Sequence, residues 1–334
     1  MISCLRRAGA DVVEHHVSAW DEAEHKWAAG VGAAARVAVA EAKLLRRPSE
    51  DFDVLLVGYP GHFDLPAARR VAHGRPVVFN PLVSLADTFV ADRARFAPGS
   101  LPARVLRWID RASFHAANLV VADTAANAAS FSELAQLPHE RVRVCFVGAE
   151  ERLFHPPWAP RKEFLFVGKL IPLHGLETIL AAARLVPDLR LTIAGSGQLE
   201  QVLRERPPNV RWIPWIDYAA LGDAYRSARC ALGIFGTSDK AARVIPNKVF
   251  QALACGAPVI TADTPAAREL LVDGESALLV PPGDAETLAD ALRRAAADDT
   301  LLERIATGGQ AAYRRSASED VLGGCWLEIV ESVR

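Results

Sequence analysis

FLFVGKLIPLHGLETILAAARLV, from Phe164 to Val186, contains the clearest secondary-structure pattern of the sequence. Its first four residues form an apolar run that ends at Gly168 and Lys169. After a bend that contains a proline, apolar residues return with the spacing of one face of a helix. The stretch therefore predicts a buried strand, a turn and a helix, with a lysine between the strand and the helix.

The same alternation of short apolar runs and amphipathic segments continues along the chain. In the first half it predicts strands at Asp11–Val17, Val54–Gly58, Pro76–Phe79, Leu119–Ala122 and Val142–Val144. In the second half it predicts strands at Phe164–Val167, Arg190–Ala194, Val210–Ile213, Cys230–Ile234, Pro258–Thr261 and Ala277–Val280. Helices are predicted at Ala103–Ala117 and Ala125–Ala135, in the Ala-rich stretch Trp27–Leu45, and from starts near Leu176, Leu199, Tyr218, Asn247, Pro265 and Ala285.

Near-continuous Val, Ile, Leu and Phe strands are typical of parallel sheets that are covered on both faces. Their alternation with helices predicts an α/β fold of two doubly wound, Rossmann-like domains. A stretch with three prolines and no periodicity separates the two. We place the first domain at residues 1–152, the proline-rich linker at 153–163 and the second domain at 164–315.

Composition excludes several classes of protein. The chain has 334 residues, and its net charge of -2 argues against a nucleic-acid-binding protein, which usually has a basic excess. No apolar run reaches the roughly 18 residues that a membrane-spanning helix needs, and the N-terminus has no secretory signal. Five scattered cysteines without a CxxC pair favour a reducing compartment and no zinc site. We therefore expect a cytoplasmic protein.

Three loops that follow strands of the second domain combine glycine with lysine or polar residues. They are VGKLIPLHG after the first strand, AGSGQ (Ala194–Gln198) after the second and Gly233–Gly256 after the fourth. Ligands in such sheets bind beyond the carboxyl ends of the strands. Glycine allows a close approach of the backbone, a helix N-terminus attracts anions, and lysine suits a phosphate. The loops therefore predict a diphosphate pocket in which Lys169 holds a phosphate.

Each of these residues also has a simpler interpretation. Gly168 could serve only the turn, and Lys169 could be a solvated surface residue. The GSG motif alone is weak evidence for a ligand loop, and Asn247 after a proline is typical of a helix N-cap. The functional interpretation depends on the joint occurrence of these loops at the strand ends of one domain.

The second half also contains four blocks in a recognisable order and spacing. They are FLFVGKLIPLHGLETILAAARL, LTIAGSGQLEQVLRE, NVRWIPWIDYAALGDAYRSARCALGIF and KVFQALACGAPVITADTPAARELLVDGESALLVPPGDAETLADALRRAAAD. Over roughly Phe164–Asp298 they resemble the C-terminal half of the family 4 retaining glycosyltransferases, in a subgroup with PLHG and IPNK motifs. The resemblance implies a GT-B fold with a cleft between its domains, and a C-terminal helix at 316–334 that packs back on the first domain.

The resemblance further implies a nucleoside-diphosphate-sugar donor in the second domain, an acceptor in the first, and no cofactor or metal, because protein cations replace magnesium. Gly168 and Lys169 match the place where the family holds the donor diphosphate, and His174 matches its second phosphate-binding cation. The family's two glutamates, spaced E-x7-E, correspond to Arg243 and Gln251, so both carboxylates are missing. The predicted catalytic residues are Lys169, Lys240 and Arg243. The predicted donor-binding residues are Gly168, His174, Gly175, Gly195, Gly197, Asn247, Lys248 and Gln251.

The first domain resembles the family more loosely. MISCLRRAGADVVEHHV matches the end of the first helix and the start of the second strand, so we expect the first domain to lack its first strand. The candidate acceptor-side residues are His62, Asp64 and Asp87, whose alternative roles are capping and loop hydrogen bonds. In the segment LPARVLRWIDRASFHAAN, three arginines surround Trp108. Such a face can dock on a membrane that carries lipid-linked acceptors, or it can be an ordinary solvated face.

The function that follows is the transfer of a hexosyl group, with retention, from a nucleoside-diphosphate sugar to an acceptor hydroxyl. The acceptor would be a glycan, a lipid-linked molecule or a small molecule. The main alternative is a catalytically inactive GT-B subunit that binds or scaffolds a partner, which the missing carboxylates and first strand favour. A sugar-nucleotide epimerase is a further alternative.

Overall fold

The computed structural model describes residues 1–17, 39–45, 51–159 and 163–334. The first sheet is built from β1 (Leu55–Val57), β2 (Val77–Phe79), β3 (Leu119–Ala122) and β4 (Val142–Val144). These strands lie side by side in chain order, and every pair is parallel. Helix α1 (Ile2–Arg7) precedes the sheet, and α2 (Leu65–Ala72), α3 (Leu101–Ala116) and α4 (Ala125–Ala135) connect its strands. A π-helical segment, Asp87–Asp92, lies between β2 and α3.

The second sheet has six parallel strands, in the order β10-β9-β8-β5-β6-β7. They are β5 (Glu163–Val167), β6 (Arg190–Ala194), β7 (Val210–Ile213), β8 (Ala231–Leu232), β9 (Val259–Ala262) and β10 (Leu278–Val280). The helices are α5 (Leu176–Leu185), α6 (Leu221–Ser227), α7 (Asp239–Arg243), α8 (Asn247–Ala254), α9 (Pro265–Arg268), α10 (Ala285–Ala297), α11 (Asp299–Ser316) and α12 (Glu319–Glu331). The order reverses between β5 and β8, so the loops that follow these two strands leave in opposite directions and open a crevice.

Strand β5 explains why the second sheet is covered on both faces. Phe164 and Phe166 are buried against the cluster that contains Ile179 of α5 and Leu292 of α10. Leu165, whose side chain points to the opposite face because strand residues alternate, packs with the cluster that contains Leu253 of α8. A strand that is apolar at four consecutive positions, Phe164–Val167, is typical of burial between two layers of helices, as the sequence predicted.

The last helix, α12, lies against the first sheet rather than the second. Leu322 and Trp326 pack in one cluster with Val78 of β2 and Val121 of β3, and Cys4 of α1 completes it. The chain therefore ends on the domain in which it begins.

The α/β architecture predicted from the sequence is confirmed, and most strands differ from their predicted bounds by one or two residues. The strand predicted at Asp11–Val17 is wrong. Residues 11–17 have no regular secondary structure and pair with no strand in the described part of the chain, and Glu14, His15 and His16 are exposed. The helix predicted to start near Leu199 is present, but Glu200–Glu205 is a 3₁₀ helix and not an α-helix. Most of the helix predicted at Trp27–Leu45 lies outside the described residues. Within its described part, residues 39–45, positions 39–44 are helical.

Candidate functional site

The loops after β5 and β8 meet at the crevice between these strands and leave no space between their backbones. The Phe235 N–H donates to the His174 carbonyl over 3.1 Å. A Cβ atom on Gly175 would lie 2.5 Å from the Phe235 carbonyl carbon, and one on Gly236 would lie 2.4 Å from the Leu173 oxygen. Only glycine fits at these contacts. The two loops therefore form one rigid wall of the crevice.

The loop after β6 packs on the same wall. Gly168 donates its N–H to Ala194 over 2.9 Å. A Cβ atom on Gly195 would lie 1.9 Å from the Gly168 oxygen, and one on Gly197 would lie 2.9 Å from the Leu170 oxygen. Loop packing thus accounts for the glycines at 195 and 197, which we predicted as donor-binding residues.

Lys248 of α8 extends its side chain beneath Gly168. Its Nζ would lie 2.7 Å from a Cβ atom on that glycine, and it lies 3.8 Å from the centroid of the Phe166 ring. The ammonium is buried and has no hydrogen-bond partner. Burial therefore lowers the pKa of Lys248 well below its ordinary value. An unpartnered cation at the carboxyl end of β5 is a candidate anion ligand.

His174 supports the loop instead of supplying a second cation. Its Nδ1 donates to the Lys169 carbonyl oxygen over 2.5 Å, and its ring meets Phe166 edge-on with the centroids 5.7 Å apart. Burial, followed by the charge of Lys248, lowers the pKa of His174 well below its ordinary value. A neutral imidazole with its proton on Nδ1 has no N–H left for a phosphate. The prediction that His174 contacts the diphosphate is therefore corrected for this state. Lys169 itself is exposed on the same loop.

Lys240 and Arg243 reach across to the first domain. The buried Lys240 ammonium donates to Thr88 Oγ1 over 2.8 Å, and Arg243 pairs with Asp87 over 2.7 Å. The Thr124 hydroxyl also donates to the Arg243 carbonyl. Two of the predicted catalytic cations and one predicted acceptor-side carboxylate thus meet at the boundary between the two domains.

Asp92 is a residue of the same boundary that the sequence reasoning missed. Its side chain is buried, and neither carboxylate oxygen makes a hydrogen bond of normal geometry. Burial raises the pKa of Asp92, while the nearby Lys240, Arg93 and Leu173 N–H act in the opposite direction. The signal in the sequence was the pair of acidic residues in DTFVAD, of which we considered only the first.

His62 is not available to an acceptor, because its side chain is fully buried in the first domain. Its Nδ1 bonds to the Pro60 carbonyl, and its Nε2 lies 3.2 Å from Asp110 Oδ1. The Asp110 carboxylate in turn accepts hydrogen bonds from Ser84 and from two backbone N–H groups that follow it. This network fixes the loop after β2, which corrects the predicted acceptor contact to a core role.

Asp64, the third acceptor-side candidate, interacts with Glu41. Burial and the hydrogen bond with Asp64 raise the pKa of Glu41 to about 8. The Glu41 carboxyl is therefore mainly protonated at neutral pH, so that its O–H can donate a hydrogen bond to Asp64. Asp64 precedes α2 but makes no side-chain cap.

Asn247 and Gln251 lie on α8 together with Lys248. Asn247 is exposed and is the first residue inside the helix, so the N-cap is Pro246 and the interpretation of Asn247 as a cap is wrong. The Gln251 Oε1 accepts from the Tyr225 hydroxyl over 3.3 Å. Its amide is thus held by an aromatic side chain of the second domain.

Outside the crevice, helix α3 presents an apolar stripe to solvent. Leu101, Val105 and Trp108 are 72%, 45% and 69% exposed and follow helical spacing. Arg104, Arg107 and Arg111 on the same helix are also exposed. Among the described residues, no helix is both long and apolar enough to cross a membrane. The described part of the chain also brings together no group of three or more metal-binding side chains.

Comparison with known sequences finds similarity in the region that contains this crevice. Residues 161–298 match the family model of the Glycosyl transferases group 1. The phosphatidyl-myo-inositol mannosyltransferase of Mycobacterium leprae is 36% identical over 164 residues, which are 46% of this chain and 42% of that protein. The D-inositol 3-phosphate glycosyltransferase of Thermomonospora curvata is 28% identical over 302 residues, 75% of this chain and 67% of that protein. The chain covers less than half of the length of several curated relatives.

Comparison with solved structures shows the fold. HepE from Anabaena, solved with UDP and glucose, gives a TM-score of 0.68 at 17% identity, over 89% of this chain and 81% of that one. Sucrose-phosphate synthase from Thermosynechococcus elongatus gives a TM-score of 0.71 at 16% identity, over 90% of this chain and 78% of that one. The GT-B fold that the sequence predicted is confirmed.

Proposed function

We propose that this protein is a glycosyltransferase that moves a hexosyl group from a nucleoside-diphosphate sugar to an acceptor hydroxyl, with retention. The observation that carries the proposal is the buried, unpartnered Lys248 ammonium beneath Gly168, at the crevice between β5 and β8. A diphosphate seated on this loop would receive charge from Lys248 below and from the exposed Lys169 above. The match to the Glycosyl transferases group 1 model covers the same loops and supports this assignment.

In the proposed reaction, the protein acts mainly on the leaving group. Negative charge develops on the diphosphate as the bond to the sugar breaks, and preorganised donors stabilise that charge. Lys169 and Lys248 supply the cations, and His174 holds the loop that carries Lys169. The leaving phosphate itself assists the removal of the acceptor proton. Lys240 and Arg243 would join these cations only after they exchange their partners in the first domain.

The acceptor site belongs to the first domain in this proposal. Two relatives are named for transfer to phosphatidyl-myo-inositol and to inositol 3-phosphate, which supports an acceptor with a polyol, as a small molecule or on a lipid. The exposed apolar stripe of α3, with its three arginines, would hold the protein against an anionic bilayer that carries such a lipid. Asp64 and Asp87 are the acceptor-side carboxylates that remain after His62 is removed from the candidates.

Calorimetric titration with UDP, GDP and ADP, and with the parent nucleosides, tests the donor site. In the Lys169→Ala variant we expect affinity for the preferred diphosphate to fall by about 1.5–3 kcal/mol, because a charge-assisted contact is lost. Affinity for the nucleoside should hardly change. Equal losses for both ligands would remove the phosphate role. A wild-type protein that binds no nucleotide at millimolar concentration would instead favour an inactive GT-B subunit.

We also propose that turnover needs no divalent metal. The charges that face the leaving group in this proposal are lysines, which do the work of a metal without one. Turnover of the donor identified above should therefore be unchanged in excess EDTA. Loss of turnover on chelation, restored by magnesium or manganese, would contradict this part of the proposal.

A further inference from the structure

Asp92 combines burial, charge and missing hydrogen bonds in a way that its own domain does not explain. It is the last residue of the π-helical segment, and its side chain is only 4% exposed. Both carboxylate oxygens are buried, and neither makes a hydrogen bond of normal geometry. A buried carboxylate normally accepts several hydrogen bonds, because it otherwise loses its hydration without compensation.

Two groups of the second domain lie near Asp92, and one of them, Lys240, bonds to Thr88 of the same π-helical segment. Lys240 of α7 and the Leu173 N–H are near enough to favour the charged carboxylate, as is its neighbour Arg93. Leu173 lies on the loop between Lys169 and His174, next to the cations that we assign to the diphosphate. Asp87, by contrast, already has an ion pair with Arg243. Asp92 is thus a carboxylate directed at the end of the phosphate loop, with hydrogen-bonding capacity that this state does not use.

We propose that Asp92 binds hydroxyl groups of the donor sugar. This inference rests on the proposed function, because it needs the diphosphate to lie on the loop from Gly168 to Gly175. The sugar is bonded to the second phosphate and so occupies the space next beyond the loop, where the first domain approaches it. An ionised carboxylate only accepts hydrogen bonds, and sugar hydroxyls are donors that match it. The contacts from Lys240 and Arg243 to the first domain must open for the sugar to enter.

Substitution by asparagine separates this role from a structural one. Asp92→Asn keeps the shape of the side chain and removes the buried charge. If the carboxylate serves only the sugar, the variant without ligand should unfold at the same temperature as the wild type or at a higher one, because an uncompensated charge is lost. If the carboxylate holds the two domains together, the variant should unfold at a lower temperature.

The decisive measurement is the affinity for UDP and for UDP-glucose, or for GDP and GDP-mannose if the wild type prefers guanosine. We expect Asp92→Asn to bind the free diphosphate within about twofold of the wild type and to lose roughly 10- to 100-fold in affinity for the nucleotide sugar. Asp92→Glu should recover part of this loss. Asp188→Asn is the matched control. Asp188 is an exposed carboxylate near the amino end of β6, whereas the crevice lies at the carboxyl ends of the strands.

Three outcomes would overturn the inference. Equal losses for the diphosphate and for the nucleotide sugar would place Asp92 in the phosphate site or in the fold. An unchanged affinity for the nucleotide sugar would remove Asp92 from donor binding while leaving the proposed function intact. A wild-type protein that binds no nucleotide would refute the proposed function itself, and with it the ligand that we assign to Asp92.

Discussion

At the scale of single residues, the site depends on cations that the protein buries at a cost to its own stability. The Lys248 ammonium has no hydrogen-bond partner, and the nearby face of the Phe166 ring attracts it only weakly compared with water. The adjacent His174 is held neutral by burial and by Lys248. Functional sites are where such unfavourable charges are retained, because a ligand that carries the opposite charge relieves them.

Lys248→Met should therefore stabilise the protein without ligand and weaken its binding of nucleotides. Methionine keeps the length of the side chain and removes a buried charge. We therefore expect the free energy of unfolding to increase by about 1–3 kcal/mol. The folded-state pKa of Lys248 lies below its ordinary value of 10.5, so the unfolded chain binds more protons between the two values. The extra stability of the variant over the wild type should be fully present below the folded-state pKa and should disappear as the pH approaches 10.5.

Urea unfolding of the wild type and the variant across this pH range checks the stability, and UDP titration checks the binding. Lys43→Met is the control, because Lys43 is exposed and far from the crevice in sequence. A variant that loses stability at neutral pH would show that the ammonium has a structural partner.

At the scale of helices and loops, the two domains complete each other's helix ends. Thr124 is the N-cap of α4 and accepts from Asn127, as is usual at a helix start. The next two donors, Ala125 N–H and Ala126 N–H, bond to the Glu269 carboxylate of the second domain at 2.7 and 2.9 Å. A carboxylate at a helix N-terminus satisfies free N–H groups and complements the helix dipole. Helix α4 therefore depends on both domains.

Glu269→Ala should cost about 1–2 kcal/mol of stability, the usual value of an N-terminal cap. It should also make amides at the start of α4 exchange faster with solvent, because two of them lose their acceptor. Hydrogen exchange followed by mass spectrometry measures both effects. Glu275→Ala, in an exposed turn of the same domain, is the control. Unchanged exchange at residues 125 and 126 would mean that Glu269 does not cap α4 in solution.

The elements show which parts of the structure could be predicted from the sequence. β5 and α5 were predictable because burial alone dictates their periodicity, and the lysine at their junction marked the loop. The strand prediction at Asp11–Val17 failed because a local pattern of apolar and polar residues does not show whether a partner strand exists. Asp92, Glu269 and the role of His62 could not be found locally, because each depends on a residue more than 40 positions away or on another domain.

At the scale of the whole molecule, polar contacts between the two domains hold the cleft closed. Those at its centre are Lys240 with Thr88 and Arg243 with Asp87. The Arg243–Asp87 pair retains about a fifth of its exposure on each side, so water still reaches it. A donor that offers phosphate oxygens can compete for the same cations. Opening of the domains would then be the step that admits the donor.

The double variant Asp87→Asn/Thr88→Val should accordingly favour the open state. Both substitutions keep the size of the side chains. Asn removes the charge that pairs with Arg243, and Val removes the hydroxyl oxygen that accepts from Lys240. Small-angle scattering should show a radius of gyration above the value of about 20 Å expected for a compact chain of this length, and saturating nucleotide should reduce it again. Because the freed cations no longer need to exchange partners, nucleotide should also bind faster than to the wild type. Asp223→Asn breaks an ion pair with Arg226 inside the second domain and serves as the control. If the double variant scatters and binds like the wild type, the polar contacts do not govern closure, and apolar packing between the domains must hold the cleft shut.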